Sequence, residues 1–130
     1  VFASDSSPVF HPSVSARHDE KDGPLVNSGP VIKVKASPRD ATNSETSGLF
    51  RILAALEDVS GQSVVVRSDM SCGSTIGPIT AGNTGIRTLD IGVPTLGMHS
   101  IREMAGARDA WDLCRVLRRY YNHREALWTA

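Results

Sequence analysis

The chain has 130 residues, 40% of them hydrophobic, which suffices for one domain with a core of its own. Its 14 Lys and Arg balance 14 Asp and Glu, so no net charge draws it to nucleic acid or to an anionic membrane surface. No apolar run approaches the ~20 residues of a bilayer-spanning helix, and no segment reads as a secretory signal. Cys72 and Cys114 are too few for a disulfide framework and lack metal-finger spacing. Reduced thiols and a cytoplasmic location are therefore expected, with neither nucleic acid nor membrane as a partner.

In chain order, Val1 to Ser4 reads as the end of a strand, as if the chain were an excerpt beginning inside an element. Asp5 follows at once. A carboxylate there faces the region where α/β proteins bind ligands, and it equally suits an Asx-turn before Ser6-Ser7-Pro8. Residues 6–29 form a long polar loop with Pro8, Pro12, Gly23 and Pro24, whose His11 and His18 lack the spacing of a helical metal pair. Val31 to Lys35 alternate as a strand, with Ile32 and Val34 on one face and Val31, Lys33 and Lys35 on the other. A strand lysine is either solvated or, at a pocket rim, recognises an anionic group. Thr42 and Glu45 make a capping box for a helix whose stripe is Leu49, Ile52, Leu53 and Leu56. Gly48 inside this helix allows a close contact, and Gly61 fits its stop.

Val64-Val65-Val66 reads as a strand covered on both faces, followed by a turn at Ser71 to Thr75 and a short helix from Ile76 to about Ala81. Gly85 introduces a strand from Ile86 to Gly92, and after Pro94 comes Leu96-Gly97-Met98-His99. Ser100 and Glu103 form a second capping box, opening a short helix. Residues 107–130 are a terminal helix with the stripe Ala110, Leu113, Cys114, Leu117, Tyr120 and Tyr121. This succession predicts an α/β fold, a mainly parallel sheet flanked by helices.

The chemistry-bearing candidates are few. Gly73-Ser74-Thr75-Ile76-Gly77 has no Gly-Lys-Ser/Thr of a nucleotide loop and no serine centred between glycines, which leaves a backbone phosphate nest or a tight turn. A thiol dyad of Cys72 and His99 has no local support. His99 follows Gly97 where a strand has ended. It is either a metal donor through one nitrogen or a buried imidazole bonded to backbone.

The stretch RSDMSCGSTIGPITAGNTGIRTLDIGVPTLGMHSIREMAG closely resembles the C-terminal part of aspartyl aminopeptidases, which are dinuclear-zinc exopeptidases. GPVIKVKASPRDAT and the leading ASDSSPVFHP fit the same family in the same order, with the similarity fading after about Asp109. The resemblance implies that residues 1–130 are the C-terminal portion of a zinc-exopeptidase-like catalytic domain. The implied activity is release of N-terminal Asp or Glu from peptides, with two zinc ions per complete site and a homo-oligomer in the full-length form. Asp5 falls on a metal-binding aspartate of the family, His99 on the histidine ligand of the other zinc, and Lys33 on a substrate-contacting lysine. The other ligands and the general-base glutamate would lie upstream. Two positions depart from the pattern. Pro8 stands where the family typically has a histidine, and Asp40, at a substrate-binding position, where it has a tyrosine. An ionised aspartate accepts hydrogen bonds and donates none, and loss of one donor to the reacting carbonyl typically lowers turnover ~100- to 1000-fold. The alternative to an active enzyme is thus an inactive relative with a structural or assembly role.

Overall fold

Eight residues, Leu89–Leu96, form the strand on which the rest of the fold is built. The computed structural model describes residues 1–9, 23–34, 42–65 and 76–122. Its strands are β1 (Phe2–Pro8), β2 (Val31–Val34), β3 (Gln62–Val65), β4 (Leu89–Leu96) and β5 (Met104–Ala105). Its helices are α1 (Ser44–Leu56), α2 (Ile76–Thr84) and α3 (Ala107–Asn122). β1 lies parallel to β4 from Leu89 to Thr95. On the other side of β4, β2 pairs antiparallel at Ile91 and Gly92, and β5 pairs antiparallel at Thr95 and Leu96. β3 extends the sheet parallel to β2, with α1 as the crossover between them.

The sheet is thus flanked by helices and its longer ladders, β1 with β4 and β2 with β3, are parallel, as expected for α/β alternation, while β4 also makes short antiparallel pairings with β2 and β5. Alternation of elements reports layers; strand direction depends on distant pairing. Because side chains alternate along a strand, β4 sends Leu89 and Ile91 to one face and Asp90 and Gly92 to the other. The first face meets α1 and α3 in a core of Ile32, Phe50, Leu53, Ala54, Val59, Leu89, Ile91, Leu113 and Val116. Phe2 packs edge-on against Phe50 at 6.0 Å and against Tyr120 at 4.5 Å between ring centroids. The second face meets α2, where a Cβ on Gly77 would stand 2.0 Å from Asp90 Oδ1.

Several element boundaries differ from the sequence expectations for identifiable reasons. Asp5 lies inside β1, not at its end, because β4 continues to offer pairing partners as far as Pro8↔Thr95. That strand takes up the start of the predicted loop of residues 6–29. The cap of α1 is Asn43, whose Oδ1 accepts from Thr46 N at 2.9 Å while Asn43 N donates to Thr46 Oγ1. Thr42 and Glu45 have other partners: the Thr42 hydroxyl accepts from Asp90 N, and Glu45 pairs with Arg87. The buried stripe of α1 is Thr46, Phe50, Leu53 and Ala54, and Ile52 and Leu56 are exposed. Phe50, fully buried, sets that phase. Gly48 has nothing near its missing Cβ, so it makes no close contact. The helix stops at Leu56, and Asp58, not Gly61, takes the left-handed position (φ 52°). In β3, Val64 is buried and Val65 exposed, so one face is covered rather than two.

On α3 the inward residues are Asp109, Asp112, Leu113 and Val116, while Ala110, Cys114 and Tyr121 face outward. Two carboxylates displace apolar residues from the stripe because each is satisfied. Asp109, fully buried, accepts from Asn27 N at 2.7 Å and Gly29 N at 2.8 Å, anchoring the approach to β2. Asp112 meets Arg108 and Arg115, each at 3.4 Å, and Arg115 and Arg119 also bind Glu57 at the end of α1. This charged network holds the two core helices side by side.

Candidate metal centre

Asp5 and Lys33 stand on the α2-facing side of the sheet, on strands separated by β4. Adjacent strands lie about 4.8 Å apart, so their backbones are about two such spacings from each other. Gly92 pairs with both Asp5 and Val31 and puts no side chain between them. Lys33 stands two residues on from Val31 in β2, and its ammonium comes to 3.5 Å from Asp5 Oδ2. The lysine side chain is 14% exposed and the aspartate 55%, so a cation on a buried stem meets a carboxylate open to solvent. Asp5 Oδ1 accepts from Ser6 N at 2.6 Å, which fixes the rotation of the carboxylate. Gly92 is held to glycine by β1 itself: a Cβ would lie 2.6 Å from Asp5 O and 2.7 Å from Ser7 Oγ. Ser7 is fully buried, and its hydroxyl has no hydrogen-bond partner among the described residues.

His99 lies beyond β4, in the turn of residues 97–103 that leads into β5. The predicted helix after Ser100 does not form; the chain reverses and pairs back on β4. Ser100 N donates to Gly97 O at 2.8 Å, and both Gly97 (φ 64°) and His99 (φ 67°) are left-handed. Left-handed backbone costs a non-glycine residue about 1–2 kcal/mol. Glu103, read from sequence as a helix-capping residue, instead accepts the His99 N–H through Oε1 at 2.5 Å. The side chain of His99 is exposed, and its ring nitrogens make no hydrogen bond to a described residue. That removes the alternative of a buried, backbone-bonded imidazole.

An exposed imidazole and a half-exposed carboxylate are donors of the kind zinc takes. Among the described residues no three His, Cys, Asp or Glu side chains converge, so these donors fit a zinc ion in type and fall short of the three or four it needs. Lys33, predicted as a substrate contact, is brought to Asp5, and His99 lies in the turn that follows β4. Asp40, Cys72, His11, His18 and the side chain of Pro8 lie outside the described residues. Gly73 to Thr75 of the candidate phosphate nest also lie outside the described residues, and beside Gly77 the space is occupied by the Asp90 carboxylate. Gly92 and Glu103 were missed as site residues; the only sequence signals were a glycine within a strand and a glutamate four residues after the histidine.

The sequence model of the family described as aminopeptidase I zinc metalloprotease (M18) matches residues 1–121. The chain belongs to this family. It is 55% identical over 125 residues to a probable M18 family aminopeptidase 2 of Pseudomonas fluorescens (strain Pf0-1), covering 96% of this chain and 29% of that relative. The M18 similarity therefore runs past Asp109 into α3, further than the sequence resemblance reached. The chain also spans less than a third of the curated relatives it matches. Among solved structures, it matches the cryo-EM structure of the Ape4 and Nbr1 complex with TM-score 0.89 and 42% identity, over 97% of this chain and 24% of that one. It matches the structure of the S. cerevisiae mApe1 dodecamer with TM-score 0.83 and 25% identity, over 97% of this chain and 27% of that one.

Proposed function

We propose that residues 1–130 form the C-terminal portion of the catalytic domain of a zinc aminopeptidase that removes acidic residues from peptide N-termini. The observation that supports this most directly is the placement of Lys33 beside Asp5, an ammonium on a largely buried stem adjoining an accessible metal-type donor. A cation next to a metal-held carbonyl would select a substrate whose first side chain is a carboxylate. Asp5 and His99 would each give one donor to a two-zinc site, and residues from the rest of the protein would complete it. Zinc, when bound, supplies a polarised carbonyl and a nucleophilic water at neutral pH. This chain's residues hold and orient: Ser6 N fixes the Asp5 carboxylate, Gly92 leaves room for the β1 backbone at Asp5, and the turn of residues 97–103 presents the imidazole. In this reading the full-length protein is a cytoplasmic homo-oligomer, in keeping with the dodecameric mApe1 structure it matches.

The second reading, an inactive relative with an assembly role, is favoured by Asp40 at a position where a hydrogen-bond donor is expected. The deciding assay uses the full-length protein, chromogenic amides of N-terminal Asp, Glu and Leu, and zinc removal and restoration. Release of Asp and Glu in preference to Leu, lost on chelation and regained with zinc, is the expected result. A zinc-loaded protein that releases none of the three is the inactive relative.

A further inference from the structure

The turn of residues 97–103 places a histidine where its backbone favours glycine. His99 is the third residue of a turn closed by Ser100 N and Gly97 O, and its φ of 67° is the conformation that type II turns require at that position. A non-glycine residue held there marks a conformation imposed by its surroundings, and such residues gather at functional sites. The constraint is visible. Glu103 Oε1 accepts the His99 N–H at 2.5 Å, and the next residue, Met104, is paired to Leu96 in the sheet. The carboxylate therefore ties the strained residue to a fixed point of β4 and β5. Gly97 tightens the same turn, because a Cβ there would lie 2.9 Å from Ser100 Oγ and 3.1 Å from Arg102 O.

We propose that Glu103 is a positioning residue for His99. It acts on the backbone rather than on the ring, stabilises the left-handed conformation and so sets the direction in which the exposed imidazole points. Its consequence for metal binding rests on the reading of His99 as a zinc donor; the latch itself does not. Freed of the carboxylate, the His99 backbone would relax to negative φ and carry the imidazole away from its partners. Outer residues that orient a metal ligand typically change metal affinity about 10- to 100-fold when removed.

The test compares full-length wild type with Glu103→Ala, Glu103→Gln and His99→Ala. Zinc affinity is measured by chelator competition, amide exchange by mass spectrometry over residues 97–103, and folding by circular dichroism. Glu103→Ala should weaken zinc binding about 10- to 100-fold and speed exchange at His99. Glu103→Gln, which keeps the acceptor oxygen and loses only the charge, should stay near wild type on both measures and so serves as the folded control. Unchanged His99 exchange in Glu103→Ala overturns the latch outright. So does a Glu103→Gln variant that falls as far as Glu103→Ala, since charge and not the hydrogen bond would then matter. If His99→Ala binds zinc like wild type, the donor reading fails, and the exchange data still decide the latch.

Discussion

The two faces of the sheet come from the same strands by the same alternation, yet they are built for opposite ends. On one side Phe2, Ile32, Leu89 and Ile91 meet α1 and α3 in a closed apolar core. On the other, Asp5, Ser7, Lys33, Asp90 and Gly92 put charge, a hydroxyl without a partner among the described residues and a missing side chain onto one surface. The apolar face lowers free energy by removing surface from water. The polar face offsets some of that gain by holding groups that a stability-driven sheet would replace. What the contrast teaches is that a single central strand separates the two roles, residue by residue.

Breaking the apolar side should have the largest effect. Phe50→Ala removes the centre of the core and should destabilise the fold by about 3–5 kcal/mol, read as an early transition in urea unfolding of the full-length protein. On the polar side, Lys33→Met should behave in the reverse manner. Loss of a charge-assisted contact worth about 1.5–3 kcal/mol should lower kcat/KM for N-terminal Asp about 10- to 100-fold. Because the Asp5 partner is half exposed, stability should move by less than about 1 kcal/mol; equal losses on Asp and Leu amides would count against a specificity role. Gly92→Ala tests the strand between the faces. Forcing a Cβ against Asp5 O and Ser7 Oγ should cost about 1–3 kcal/mol, and it should lower activity through the displaced Asp5. The smallest change is Gly48→Ala. With open space at its Cβ in mid-helix, it should stabilise α1 by about 0.5–1 kcal/mol and leave kinetics untouched.

The candidate site residues were named before the fold. Asp5, Lys33 and His99 were singled out through the family's motifs, and the structure does join the first two. Neither Gly92 nor Glu103 was legible as a site residue. Gly92 acquires its meaning only from β1, whose residues lie at the other end of the chain. Glu103 fits the Ser-x-x-Glu pattern of a helix start, but the left-handed Gly97 and His99 turn the chain before a helix begins, and the same carboxylate binds a different amide. The predicted stripes of α1 and α3 hold at Leu49, Leu53, Leu113, Leu117 and Tyr120 and miss the rest for a related reason. Counting apolar residues gives no credit to Thr46, Asp109 or Asp112, which are buried because hydrogen bonds and ion pairs satisfy them.

By itself the sequence determined the α/β class, the succession of most elements and the residue types available for chemistry, since these follow from periodicity and turn residues, and its motifs carried the family resemblance. The antiparallel direction of β2, the position of Asp5 inside β1, the approach of Lys33 to Asp5 and the hydrogen bond from His99 N to Glu103 were decided only by tertiary structure. Each depends on which distant segments share a register, and register is a property of the packed sheet rather than of any stretch of chain.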